Sequence, residues 1–134
     1  MARPRRAADA DIAPTEAELE VLHVLWTRGP STVREVHDAI GVAKGIGYTT
    51  ILKQMQVMQA KGLLVRSERF KSHVYEPSQP QARTQRQIAQ GLLHRVFNGS
   101  ALDLLQSALA GHKVDARELA EIRKLLDETK RKEK

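Results

Sequence analysis

The run Gly41-Val42-Ala43-Lys44-Gly45-Ile46-Gly47-Tyr48-Thr49-Thr50 holds three glycines, a lysine and two threonines, the residue types that cradle phosphate groups. A Walker-type loop spaces its glycines around four residues, continues with Gly-Lys-Ser/Thr, and follows a buried strand so that backbone amides point at the phosphates. Here Gly41 to Gly47 is one residue too long, and Tyr48 stands where lysine belongs. Gly45-Ile46-Gly47 opens a dinucleotide fingerprint, but its third glycine position is Thr50 and no βαβ pattern surrounds it. A nucleotide-binding loop is therefore not expected. His23, His37, His73, His94 and His112 are scattered, with no HExxH and no carboxylate pair at ligand spacing, and the chain has no cysteine. No catalytic residue, metal site or cofactor is expected, and the chain reads as a non-enzyme.

Charge points to another partner. The 134 residues carry 22 Lys plus Arg against 16 Asp plus Glu, a net charge of +6, and the surplus is local. Lys44, Lys53, Lys61, Arg66, Arg69 and Lys71 fall between Lys44 and His73 with Glu68 the single acid, a field whose natural counterion is phosphate. Glu16, Glu18 and Glu20 make the first helical segment acidic, so the asymmetry suggests a binding face on the middle of the chain.

The elements that must position these residues follow from caps and periodicity. Thr15 and Glu18 form a capping box, and Leu19, Leu22 and Leu25 or Trp26 give a buried stripe that stops at Arg28-Gly29-Pro30. Thr32 and Glu35 repeat the box ahead of a shorter helix with Val33, Val36 and Ile40 inward. The glycines at 41, 45 and 47 then bend the chain into a third helix, with Ile51, Met55 and Met58 on one face and Gly62 as C-terminal cap. Two short runs, 63–70 and 73–77, bracket a polar turn at Lys71-Ser72 and read as a hairpin.

Helix, turn, helix and then a basic hairpin is the order of a winged helix-turn-helix, in which the helix after the turn enters the major groove and the wing touches the backbone. The fold expected is mainly α with a small β-hairpin, a winged helix-turn-helix domain followed by a helical dimerisation domain. Tyr48, Thr49, Thr50, Lys53 and Gln56 lie on or near the side opposite the apolar stripe, with the hydroxyls, amine and amide that bond base edges or phosphates. Arg69, Lys71 and His73 on the wing suit backbone contacts, which position the protein without specifying sequence. The competing reading is a winged-helix protein–protein adaptor without sequence-specific DNA binding, supported by the acidic first helix and the thin basic surface.

Pro77-Ser78-Gln79-Pro80 is a natural boundary, and the chain beyond it is helical. Leu92 and Val96 lie on the first helix, Leu102, Leu105 and Leu109 on a second capped by Ser100, and Leu119, Ile122 and Leu126 on a third begun by Asp115 and Glu118. So short a segment buries such stripes poorly alone, and homodimerisation through these residues is expected, the alternative being that they pack back on the N-terminal domain. The organisation expected is a disordered basic arm over 1–13, a DNA-binding domain over 14–78, a dimerisation domain over 79–129 and a charged tail over 130–134. No apolar run approaches the roughly 18 residues of a membrane span, and a cytoplasmic location fits.

The phrases "PTEAELEVLHVLW", "STVREVHDAI", "YTTILKQMQVMQAKGLLVR", "HVYEPS" and "ARELAEIRKLL" together resemble the penicillinase repressor family of the BlaI and MecI type, from Pro14 to Leu126. The resemblance implies a homodimeric transcriptional repressor that binds a dyad-symmetric operator on double-stranded DNA. It also implies a sensor-linked metalloprotease as a partner, which cuts penicillinase-type members between Asn and Phe in the dimerisation domain. The ungapped alignment of the last helix puts Ser107-Ala108 at that place, and the neighbouring Phe97-Asn98 is reversed and lies earlier. Copper-sensing relatives use C-terminal cysteines, which this chain lacks.

Overall fold

The structure, a computed structural model, describes residues 13–69 and 71–132. The arm expected over 1–13 lies outside them except for Ala13, as do Phe70 and residues 133–134 of the tail.

Helix α1, Glu16–Arg28, starts at the capping box read from the sequence: Glu18 N–H donates to Thr15 Oγ1 at 3.1 Å and Thr15 N–H to Glu18 Oε1 at 2.9 Å. Gly29, at φ +93°, ends it where a side chain would be strained. The second box, Thr32 with Glu35, opens α2. This helix is longer than its apolar pattern indicates. An α-helical turn, Val33–Val36, widens into a π-helical segment, His37–Gly41, and closes with Val42–Lys44.

The glycines therefore divide their work differently from the expectation that all three bend the chain. Gly41 sits inside the helix with ordinary helical torsions, and a Cβ there would overlap His37 Cδ2 and approach Ile46 O to 3.0 Å. Gly45 makes the turn, left-handed at φ +72°. Gly47 is the N-cap of α3, Tyr48–Ala60, in extended conformation with open space around its Cα. Helix α3 ends in a Schellman arrangement: Leu63 N–H donates to Met58 O, Gly62 N–H to Gln59 O, and Gly62 is at φ +88°.

Strands β1, Leu64–Arg69, and β2, Ser72–Pro77, pair antiparallel from Leu64 with Pro77 to Arg69 with Ser72. Ser72 is thus a strand residue paired with Arg69 rather than part of a Lys71-Ser72 turn, and Lys71 is left-handed at φ +66°. From Val65 to Arg69 every residue is exposed, which is why alternation is imperfect there: this end of the hairpin has no core to face. On β2, by contrast, the adjacent Val74 and Tyr75 are both buried. Tyr75 exchanges two backbone hydrogen bonds with Ser31, 2.8 and 3.0 Å long, so β2 is flanked by β1 on one side and by the start of α2 on the other.

The core of this unit joins Val21, Leu22 and Leu25 of α1, Val33 and Val36 of α2, Ile51, Met55 and Met58 of α3, and Leu64 and Tyr75 of the hairpin. Each fully buried aliphatic side chain contributes about 1.5–3 kcal/mol relative to exposure, enough to fix the orientation of α3. Glu18, 3% exposed, lies at its edge and receives Lys61 Nζ at 2.6 Å.

Helix α4, Gln81–Arg95, follows the Pro77–Pro80 region, and Gln79 Nε2 donates to Thr84 Oγ1 and Gln87 Oε1 across its first turns. The chain divides into two compact units within α4, between Gly91 and Leu92. In the second unit Asn98 at φ +50° and Gly99 at φ +83° reverse the chain, Ser100 caps α5, Ala101–Ala110, and Asp115 accepts from Glu118 N–H at the start of α6, Ala116–Lys132. No described residue from 92 onward is buried. No helix of the described residues is long and apolar enough to cross a membrane.

Candidate nucleic-acid interface

Helix α3 presents two opposite faces because 3.6 residues per turn puts Thr49, Lys53, Gln56 and Ala60 on one stripe and Ile51, Met55 and Met58 on the other. The second stripe is buried and the first is exposed, with Thr50 and Val57 exposed beside it. The stripe that faces solvent is backed by methionines packed in the core: Met55 and Met58 are both 0% exposed.

Tyr48 stands apart from its neighbours. It is 40% exposed, but its ring receives the Arg34 guanidinium over one face at 5.3 Å and the His37 ring edge-on at 6.1 Å. The residue expected as a contact is also a clamp between α2 and the leading end of α3.

Between α3 and the hairpin lies a cleft of about 380 Å³, lined by Thr32, Arg34 and Tyr48 at one end and by Gln56, Arg66, Ser72 and His73 at the other, over Leu52 and Tyr75. Gln56 and His73, taken from separate parts of the chain, are thereby brought together. Arg69 and Lys71 lie further out on the hairpin and are exposed. His73 is the cross-strand partner of Glu68, Nε2 to Oε2 3.9 Å.

Sequence reasoning leaves Arg34, Arg66 and Ser72 out of the candidate set. Arg66 is visible as a basic residue, but only the hairpin register turns it toward the cleft; Arg34 comes from another helix and carries no local signal. The basic field is also smaller than the composition indicates. Lys44 pairs with Glu20 and Lys61 with Glu18, so two of the six cations are neutralised by acids of α1. Lys53, Arg66, Arg69 and Lys71 make no ion pair among the described residues, and all are exposed. The acidic face that suggested a protein adaptor is to the same extent consumed internally, with Glu16 left exposed.

Three helices, a hairpin stitched to the start of the second, and an exposed polar stripe on the third define a winged helix-turn-helix protein. Its sequence matches the model of the penicillinase repressor family over residues 14–128, and the chain belongs to that family. The family is one of transcriptional repressors, not of enzymes. Two relatives, each a transcriptional regulator BlaI, come from Mycobacterium tuberculosis strains CDC 1551 / Oshkosh and ATCC 25618 / H37Rv. Each is 33% identical over 63 residues, which is 46% of this chain and 46% of the relative. The chain thus aligns with about half the length of the relatives it matches.

Proposed function

We propose that this protein is a homodimeric transcriptional repressor that binds a dyad-symmetric operator on double-stranded DNA. The observation that carries the reading is the exposed polar stripe of α3, backed by a buried apolar one, together with four cations, Lys53, Arg66, Arg69 and Lys71, that make no ion pair among the described residues. Helix α3 enters the major groove with Thr49, Thr50, Lys53 and Gln56 toward base edges and the adjoining phosphates. Arg69, Lys71 and His73 meet the backbone on the wing, and a phosphate enters the cleft beside Arg34 and Arg66. Family membership and the BlaI-named relatives support the same reading.

The DNA-binding part is residues 14–78 and the dimerisation part 79–129. Dimerisation is supported by the apolar side chains that the second unit leaves uncovered: Leu92, Val96, Leu102, Leu119 and Leu126 are 40–64% exposed, with Leu105, Leu109 and Ile122 half-buried. Two recognition helices related by a two-fold axis read two half-sites, which is why the operator is an inverted repeat. The protein acts in the cytoplasm, where its DNA is.

Gel-shift titration against the DNA upstream of its own gene tests this. A dimer should occupy an inverted repeat with log affinity falling linearly in log salt. Salt-independent binding, or no binding, overturns it.

A further inference from the structure

We propose that His37 is a positioning residue that sets the leading end of α3 by latching the turn before it, an inference that rests on α3 being the DNA-recognition helix. Ile46, the middle residue of the Gly45–Gly47 turn, is held at both its N–H and its carbonyl. The N–H donates to Gly41 O at 2.8 Å, and the carbonyl lies 2.9 Å from His37 Nε2. Since a carbonyl only accepts, His37 Nε2 carries the proton and donates.

Two features of α2 have their explanation in this contact. The π-helical segment begins at His37 itself, whose carbonyl accepts from Val42 N–H, and the wider turn lets the imidazole pass along the helix toward Ile46. Gly41 then clears the path: a Cβ there would overlap His37 Cδ2 and crowd Ile46 O at 3.0 Å. Neither residue reaches the exposed stripe of α3. Beyond the latch, the His37 ring meets Tyr48 edge-on at 6.1 Å, and Arg34 covers the Tyr48 ring at 5.3 Å, so the same histidine touches the turn and the first residue of α3.

A turn that samples other conformations lowers apparent affinity by the fraction of time it is correct, and a dimer incurs that factor in each protomer. A tenth-populated turn therefore costs about tenfold per protomer and about a hundredfold per dimer.

The experiment compares full-length His37→Ala, His37→Asn and His37→Gln in operator binding and, without DNA, in amide hydrogen exchange. A glutamine amide nitrogen occupies nearly the place of Nε2, whereas that of asparagine stops at the place of Nδ1. His37→Ala and His37→Asn should lose between about tenfold and a hundredfold in affinity, with His37→Gln near wild type. Gly41→Ala should lose as much, and should cost less in the His37→Ala background, where only the Ile46 O contact remains. In the DNA-free protein, Ile46 N–H should exchange faster in His37→Ala and Gly41→Ala while Val36 and Met55 stay protected. Equal behaviour of the alanine and glutamine variants, or an unchanged Ile46 amide in His37→Ala, overturns the latch. Should His37→Ala not fold, the wild-type tautomer decides: an imidazole protonated on Nδ1 alone overturns the proposal. If the wild-type protein binds no operator while Ile46 responds as stated, the latch stands and the reading of α3 fails.

Discussion

The Glu18 carboxylate is divided between two ends of the N-terminal unit: Oε1 accepts from Thr15 N–H at 2.9 Å and Oε2 from Lys61 Nζ at 2.6 Å. One side chain, 3% exposed, thus caps α1 and ties its first turn to the C-cap of α3. Removing the lysine leaves a nearly buried charged oxygen without its partner, which costs far more than a surface pair yields. Lys61→Met should lower stability by about 1–3 kcal/mol, seen as a lower urea midpoint with an unchanged slope. Lys44→Met should stay within about 0.5 kcal/mol, since Lys44 and Glu20 are 47% and 37% exposed. Equal effects would mean that burial of Glu18 does not strengthen its pair.

The two glycines around Ile46 should respond in opposite ways. Gly45 is at φ +72°, where a Cβ crowds the backbone, so Gly45→Ala should cost about 1–2 kcal/mol although open space surrounds it. Gly47 caps α3 from extended torsions without a side-chain hydrogen bond, so Gly47→Ser supplies the missing acceptor and should stabilise by a few tenths of a kcal/mol. Thermal melts of the two variants give the comparison, and a stabilised Gly45→Ala would refute the strain argument.

What can be read from the sequence is local. Thr15 with Glu18 and Thr32 with Glu35 are three residues apart, and a capping box needs nothing else, so both helix starts are legible. Ile51, Met55 and Met58 announce the buried face of α3 through period alone. The π-helical segment is not legible, because the contact that accompanies it joins His37 to Ile46, nine residues on, past a glycine that must be small. The same holds for Ser31: a single bridge to Tyr75 has no alternation to betray it. Charge misleads for the same reason. Lys44 and Lys61 count toward a phosphate-binding field until Glu20 and Glu18, distant in the chain, prove to hold them.

Helix and wing should separate in binding experiments. Lys53 lies on the α3 stripe between Thr49 and Gln56, so Lys53→Ala should reduce discrimination between operator and unrelated DNA. Lys71, at the hairpin connection, should weaken both equally when changed to alanine and flatten the salt slope by about 0.9 for each phosphate no longer neutralised. Arg66→Ala, which empties one wall of the cleft, should resemble Lys71→Ala. Fluorescence anisotropy at several salt concentrations distinguishes them; identical profiles for Lys53→Ala and Lys71→Ala would remove the division between reading and positioning.

The second unit makes the strongest demand on a partner. On α6, Leu119, Ile122 and Leu126 recur at the i, i+3, i+7 spacing of one helical face, yet Leu119 and Leu126 are 40% and 53% exposed; on α5, Leu102, Leu105 and Leu109 repeat the spacing with Leu102 64% exposed. Exposed leucines on these two helices are stabilised once covered, each contributing on the order of 1.5–3 kcal/mol when fully buried, and a second copy has the same faces to offer. Placing a carboxylate in such an interface leaves it desolvated without a partner. Leu119→Glu with Leu126→Glu should therefore convert a dimer to a monomer in sedimentation velocity, with operator affinity falling by at least about a hundredfold as the second half-site loses its tether. The N-terminal core, from Val21 to Tyr75, shares no residue with these faces, so its amides should keep their exchange protection. A wild-type protein that sediments as a monomer, or a double variant that remains a dimer, would place the contact elsewhere.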